Sequence, residues 1–165
     1  MNRLRISWLC GVLFLALSLS ASAQPDWTRV GSTGTLDEAS LGAFQVNGAA
    51  LLHAAGSLTS VVARFNVDNV SNQFPLAPWN TLEMTSQDGT AQGVVSATLF
   101  RVPRCTGTSI AICTVQSTDT ITGPTCTRCT FGAPLDFANN SYYVQVTINR
   151  VTAAVTPILF NLRLW

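Results

Sequence analysis

Lysine is absent from residues 24–165, where seven arginines stand against eight aspartates and glutamates, a formal charge of −1. A stretch so balanced has no electrostatic footprint for nucleic acid or anionic lipid, which excludes a polyanion binder. Charged residues make up only 10% of the whole sequence and hydrophobic ones 47%, which excludes acidic disorder and a charge-laced coiled coil. Helical periodicity is missing too. Nothing after residue 23 repeats at 3.6 residues over three turns, and the richest candidate, Gly48 to Gly56, is glycine-bracketed and long enough for one helical turn only. There is no internal repeat and no linker, and a chain of 165 residues suffices for one ordinary domain with a real core.

Long apolar runs are equally scarce; there is one, at the start. Arg3 and Arg5 precede an apolar stretch from Ile6 to Leu19, broken only by Ser7, Gly11 and Ser18, and Ala21-Ser22-Ala23 follows as a small-residue cleavage site. Residues 1–23 therefore read as a cleaved secretory signal peptide, with the domain beginning at Gln24. Fourteen residues fall short of the roughly 20 that cross a bilayer, and Cys10 lies inside the run rather than at the cleavage point, so neither a membrane span nor a lipid anchor is expected. The expected location is secreted or periplasmic.

What fills residues 24–165 is alternation. Val61, Ala63, Phe65 and Val67 alternate with Val62, Arg64 and Asn66, and Tyr142, Val144, Val146 and Ile148 alternate with Tyr143, Gln145, Thr147 and Asn149. In the last segment Ile158, Phe160, Leu162 and Leu164 form the apolar set and Leu159, Asn161, Arg163 and Trp165 the other, unlike a membrane barrel that ends on an outward aromatic. Shorter strand candidates cover residues 43–47, 81–85, 94–102, 110–115 and 119–122. Turn signals separate them: Gln87-Asp88-Gly89, Pro75-Leu76-Ala77-Pro78, Gly123-Pro124, Gly132-Ala133-Pro134 and Ala138-Asn139-Asn140-Ser141. Seven to nine short strands without crossover helices predict an all-β fold, a single antiparallel β-sandwich of jelly-roll or immunoglobulin-like type.

Four cysteines follow the signal: Cys105, Cys113, Cys126 and Cys129. An even number in an exported chain predicts two disulfides, and sequence permits three connectivities. Short local loops favour Cys105 with Cys113 and Cys126 with Cys129, ahead of the nested Cys105–Cys129 and Cys113–Cys126. Either arrangement would staple residues 105–129 to themselves. Zinc is disfavoured because Cys105 and Cys113 are too far apart for a ligand pair, and a redox CxxC is disfavoured because its flanks are not helical.

Enzymatic signals are thin. His53, the sole histidine, lies in Leu51-Leu52-His53-Ala54-Ala55 with no local partner and reads as a partly buried or turn residue; no GxSxG elbow occurs. Asp68, Glu83, Asp88, Asp119 and Asp136 could supply a carboxylate pair for glycoside hydrolysis, but no spacing singles one out. Calcium could be held by Asp68-Asn69 or by Asp136 with Asn139 and Asn140, though Asx turns explain the same residues, and neither a metal nor a cofactor is expected. Asn69-Val70-Ser71 and Asn139-Asn140-Ser141 match the N-glycosylation tripeptide, which has meaning only in a eukaryotic secretory pathway.

Aromatic residues beside polar ones are the better lead. Trp79 with Asn80, Tyr143 on the polar face of its strand and Trp27 are the candidate contact residues, because a flat ring with an amide nearby suits the apolar face and hydroxyls of a sugar; the competing reading has the tryptophans capping the core. The expected function is non-covalent binding of a glycan or protein partner outside the cytoplasm. An extracellular or periplasmic hydrolase is the first alternative. A cell-surface assembly subunit that donates its last strand is the second.

Overall fold

The computed structural model describes residues 25–69, 76–119 and 123–165. The signal segment 1–23, Gln24, Pro75, Val70 and Ser71 of the first glycosylation tripeptide, and residues 120–122 of the 119–122 strand candidate lie outside the described residues; Asp119 itself sits in a turn.

Thirteen strand segments follow one another: β1 (Trp27–Val30), β2 (Thr35–Leu36), β3 (Phe44–Asn47), β4 (Ala50–His53), β5 (Val61–Val67), β6 (Leu76–Ala77), β7 (Thr81–Gln87), β8 (Gly93–Pro103), β9 (Ile110–Gln116), β10 (Thr125–Thr130), β11 (Leu135–Asp136), β12 (Asn140–Arg150) and β13 (Ile158–Leu164). The count exceeds the expected seven to nine because β2, β6 and β11 are two-residue pieces and because β1, β4 and β10 have no counterpart among the strand candidates of the sequence. Two 3-10 turns, Gly31–Thr33 and Glu38–Ser40, are the helical content of the described residues. The fold is all-β and antiparallel, as the alternation predicts.

Two sheets face each other. One runs β2-β5-β12-β8-β9, and the other runs β10-β7-β13-β4-β3 with β1 also on β13. Strand β1 pairs with residues 161–164 of β13, and β4 pairs with Ile158 and Leu159, so these two strands divide one edge of β13 between them. The handover passes through Gly31, where a Cβ would lie 2.4 Å from the Leu159 carbonyl oxygen. Only glycine lets the backbones approach so closely. Leu76 and Ala77 pair solely with β11, in keeping with the prolines that flank them.

The core is the layer between the sheets. Val61, Ala63, Phe65 and Val67 from β5, Val95, Ala97 and Leu99 from β8, and Tyr142, Val144, Val146 and Ile148 from β12 meet Leu82, Met84, Leu159, Leu162 and Leu164 from β7 and β13. Each fully buried aliphatic side chain is worth roughly 1.5–3 kcal/mol relative to exposure, so these alternating positions drive the two layers together.

Two local expectations are corrected. Residues 48–56 form no helical turn: Ala50–His53 is β4, joined to β3 by a two-residue turn in which Gly48 takes φ 59°. A two-residue turn with glycine at positive φ in its first position, here Gly48-Ala49, matches strand twist, and the hairpin's pairing to β13 outweighs the helix preference of alanine and leucine. In β13 the register against β7 slips between Leu159 and Asn161, so Leu159 turns inward with Leu162 and Leu164 while Ile158 and Phe160 are only half-buried. Strict alternation misplaces Leu159 because a bulge adds one residue to the period. The terminal strand is self-paired, with β7 on one side and β1 and β4 on the other.

Arg150, at the end of β12, is buried without a carboxylate beside it. Its guanidinium donates to the carbonyls of Ser57 (2.7 Å), Ala54 (2.8 Å), Val155 (2.9 Å) and Ala153 (3.4 Å), tying the loop after β4 to the loop before β13. Replacing Arg150 by Leu leaves these carbonyls without their donor, and urea unfolding should register a loss on the order of 3 kcal/mol. An unchanged midpoint would show that the clamp contributes nothing.

Candidate functional site

The outer face of the five-stranded sheet lays out half-exposed aromatic and hydrogen-bonding side chains in rows. Strand register puts Tyr143 beside Asn66 on β5 and Phe100 on β8, and puts Gln145 beside Arg64 and Thr98; Thr98 in turn faces Thr114 on β9. These residues are the outward half of the alternation whose inward half builds the core. The Phe100 and Tyr143 rings stack with centroids 5.0 Å apart and planes 14° apart. The Tyr143 hydroxyl donates to Ser109 Oγ at 3.0 Å, and Thr98 Oγ1 lies 2.9 Å from Thr114 Oγ1. Arg64 is held against Asp37. The result is a flat patch with two half-exposed rings at one end and amides, hydroxyls and a tethered guanidinium extending away from them.

Of the four contact residues expected from sequence, Tyr143 alone lies on this face. Trp27 and Trp79 are buried, with indole nitrogens that have no hydrogen-bond partner among the described residues. Trp27 packs into the interlayer with Arg29 over its ring, and Trp79 meets Phe137 edge-on at 6.2 Å. The core-capping reading describes both, and neither ring face is open to a ligand. Asn80 is exposed elsewhere, beside a cleft walled by residues 130–134. Phe100 was missed because its Leu99-Phe100 pair reads as apolar in both phases; only the cross-strand pairing with Tyr143 reveals it.

A cleft of about 520 Å³ opens at the strand ends, lined by Asn66, Asp68, Asn69, Arg104, Asn140 and Tyr142 among others. It gathers Asp68-Asn69 and Asn140 from the two calcium candidates, yet the carboxylates are already engaged. Asp68 pairs with Arg29 at 2.9 Å. Asp136 accepts from the Asn139 side-chain amide at 2.7 Å and from the Ala138 and Asn139 backbone amides, and the Asn139 amide holds its carboxyl below the ordinary range. Among the described residues no group of three or more His, Cys, Asp or Glu side chains could hold a metal ion.

The other candidate acids are dispersed. Glu83 on β7 is tied to Arg128, its register partner on the neighbouring strand β10, and Asp88 is buried against Ser117. His53 is fully buried rather than partly so: Nε2 lies 3.1 Å from the Ile148 carbonyl and donates to it, leaving Nδ1 unpartnered. Burial, then the nearby Arg150 charge, lowers its pKa below 6.5, against the opposing hydrogen bond to Ile148.

The cysteines depart from both expected pairings. One disulfide joins Cys113 to Cys129, and Cys105 and Cys126 are exposed and free. Strand geometry explains the change. Cys126 and Cys129 are both on β10, three residues apart, so they project to opposite faces and lie roughly 10 Å apart along the strand, beyond disulfide reach. Cys105 lies past the end of β8, while Cys113 pairs with Leu99 well inside the β8–β9 ladder. The bond actually made links β9 and β10, the edge strands of opposite sheets, so it closes the side of the sandwich instead of stapling a local loop.

No protein-family model matches the chain, and no curated protein matches it in sequence. Among solved structures it is similar to the CBM36-1 domain of a multidomain xylanase from the hindgut metagenome of Trinervitermes trinervoides, at 7% identity and TM-score 0.49, over 86% of this chain and 97% of that one. CsCBM6-3 from Clostridium stercorarium, solved in complex with cellobiose, gives 10% identity and TM-score 0.45 over 84% of this chain and 92% of that one. A family two carbohydrate esterase from Cellvibrio japonicus gives 15% and 0.44, over 85% of this chain and 33% of that one.

Two measurements follow. Because His53 stays neutral in the folded chain and takes a proton once unfolded, its contribution to stability is complete above pH 6.5 and declines as the pH falls below it. Urea midpoints taken between about pH 7.5 and 5.5 should drop for the native chain and stay flatter for His53→Gln; equal slopes would overturn the assignment. Thiol titration of the oxidised protein should find two reactive sulfhydryls among the four cysteines that follow residue 24, and fragmentation of the alkylated tryptic peptide 105–128, joined to 129–150, should place the labels on Cys105 and Cys126 and the bond on Cys113.

Proposed function

We propose that the protein is an exported, non-enzymatic domain that binds a glycan through the outer face of its five-stranded sheet. The observation that carries this reading is the stacked Phe100–Tyr143 pair, half-exposed and set among Asn66, Gln145 and Thr98. A sugar ring has an apolar C–H face and a rim of hydroxyls, so it calls for a flat aromatic with amide and hydroxyl groups alongside. The strand spacing of about 4.8 Å brings successive polar partners within reach of successive hydroxyls of one chain. Because these side chains stand on paired strands and not on loops, little ordering accompanies binding. Export is inferred from the leader at residues 1–23.

Nothing in the arrangement favours turnover. The buried His53 offers no surface base, and Asp68 and Glu83 are held by arginines, Asp136 by its turn and Asp88 by the interior.

The test is a glycan array probed with the purified protein, then with Tyr143→Ala and with Trp79→Phe. Tyr143→Ala should weaken binding roughly tenfold or more, about 1.4 kcal/mol, while Trp79→Phe changes affinity little. Full retention of binding by Tyr143→Ala would remove the sheet face as the site.

A further inference from the structure

A different cleft, of about 410 Å³, opens at the end of the sandwich on the inward side of β8 and is lined by Arg101. Arg101 continues the inward phase of Val95, Ala97 and Leu99, and its register partner on β12 is Tyr142. The Arg101 side chain is exposed, unlike the buried Val95, Ala97 and Leu99 before it. Phe131, Leu135 and Tyr142, all buried, form the floor; Ile112 and Pro134 wall the sides; and Thr130 presents an exposed hydroxyl at the rim.

Among the described residues every other arginine is engaged. Arg29, Arg64, Arg128 and Arg163 pair with Asp68, Asp37, Glu83 and Asp26. Arg104 donates to the Phe137 carbonyl, and Arg150 is the four-carbonyl clamp. Arg101 has no hydrogen-bond or ion-pair partner among the described residues, and no carboxylate lines its cleft. The acid nearest in sequence to the cleft wall, Asp136, is occupied by Asn139 and Ala138.

From this we infer a second binding site, specific for a carboxylate carried on a sugar ring, the uronic acid class. A guanidinium recognises a planar carboxylate through two parallel hydrogen bonds, an arrangement that gives direction as well as charge attraction. The apolar floor takes the C–H face of the ring, and the Thr130 hydroxyl takes one of its hydroxyls. The volume lies within the range of small-molecule pockets and suits a ligand of one or two rings. The site is independent of the outer sheet face: Arg101 and Tyr143 belong to opposite faces of the same sheet.

The experiment is calorimetric titration of the purified protein with tri-galacturonate and with its methyl ester, which keeps the rings and removes the charge. The acid should bind at least tenfold more tightly than the ester, and raising the salt concentration should weaken the acid alone. Arg101→Gln should abolish that preference and unfold at the native urea midpoint, whereas Tyr143→Ala, which gives up the ring stack with Phe100, should leave the preference intact. Equal affinity for acid and ester, a preference that survives Arg101→Gln, or its loss in Tyr143→Ala would each overturn the inference. Binding of neutral glycans, sensitive to Tyr143 and not to Arg101, reports separately on the sheet-face reading. Failure of one site therefore leaves the other standing.

Discussion

The interlayer contact between β12 and β13 is the constraint on which the rest depends. Each is the central strand of its sheet, paired on both sides, and each presents an inward row of aliphatic side chains with essentially no exposure. Apolar surface removed from water is worth about 25 cal/mol per Å², and these two strands contribute a large share of it. They also fix the register of their neighbours, because a one-residue slip would send every inward side chain to solvent. The outward residues are placed as a consequence. Tyr143, Gln145 and Thr147 stand in line because Tyr142, Val144, Val146 and Ile148 must face the other sheet.

A sandwich built this way has open ends and open sides, and the chain closes them with polar and covalent devices. Cys113 and Cys129 join the edge strands β9 and β10 across the gap between the sheets. Arg150 gathers four carbonyls from two loops at one end, where an apolar residue would leave them buried and unpaired. At the other end Trp79, Phe137 and Tyr142 form an aromatic plug, with Phe137 and Tyr142 centroids 4.9 Å apart. The Tyr142 hydroxyl sits 2.8 Å from the Asp136 amide, and burial raises its pKa. The arginine-lined cleft lies just outside this plug, so its floor is the exposed margin of the core itself.

The two surfaces differ in how they could be found. Tyr143 was legible as a candidate because it sits at a polar-phase position of an otherwise regular strand. Phe100 and Arg101 were not, since neither departs from its local pattern: Phe100 neighbours apolar residues, and Arg101 ends a strand where a charge is ordinary. Their significance lies in partners distant in sequence, Tyr143 for the first and residues 131–135 for the second. Trp27 and Trp79 show the opposite error. A tryptophan near turns and amides looks like a contact residue, but the largest side chain is also the best filler for the end of a sandwich, and burial won.

The sequence by itself determined the class of the fold, the phase of its long strands and the positions of most turns, because side-chain alternation and turn chemistry are local properties that survive any choice of topology. It could not settle which cysteines meet, since loop length favours local pairs and only the apposition of β9 with β10 brings Cys113 to Cys129. Nor could it foresee the bulge at Phe160 or the conversion of Ala50–His53 into a strand, each imposed by pairing with residues far along the chain. The same holds for the two candidate sites. Their components are ordinary in isolation and acquire meaning only where the sheet's hydrogen bonds and the packed layer beneath them bring those components side by side.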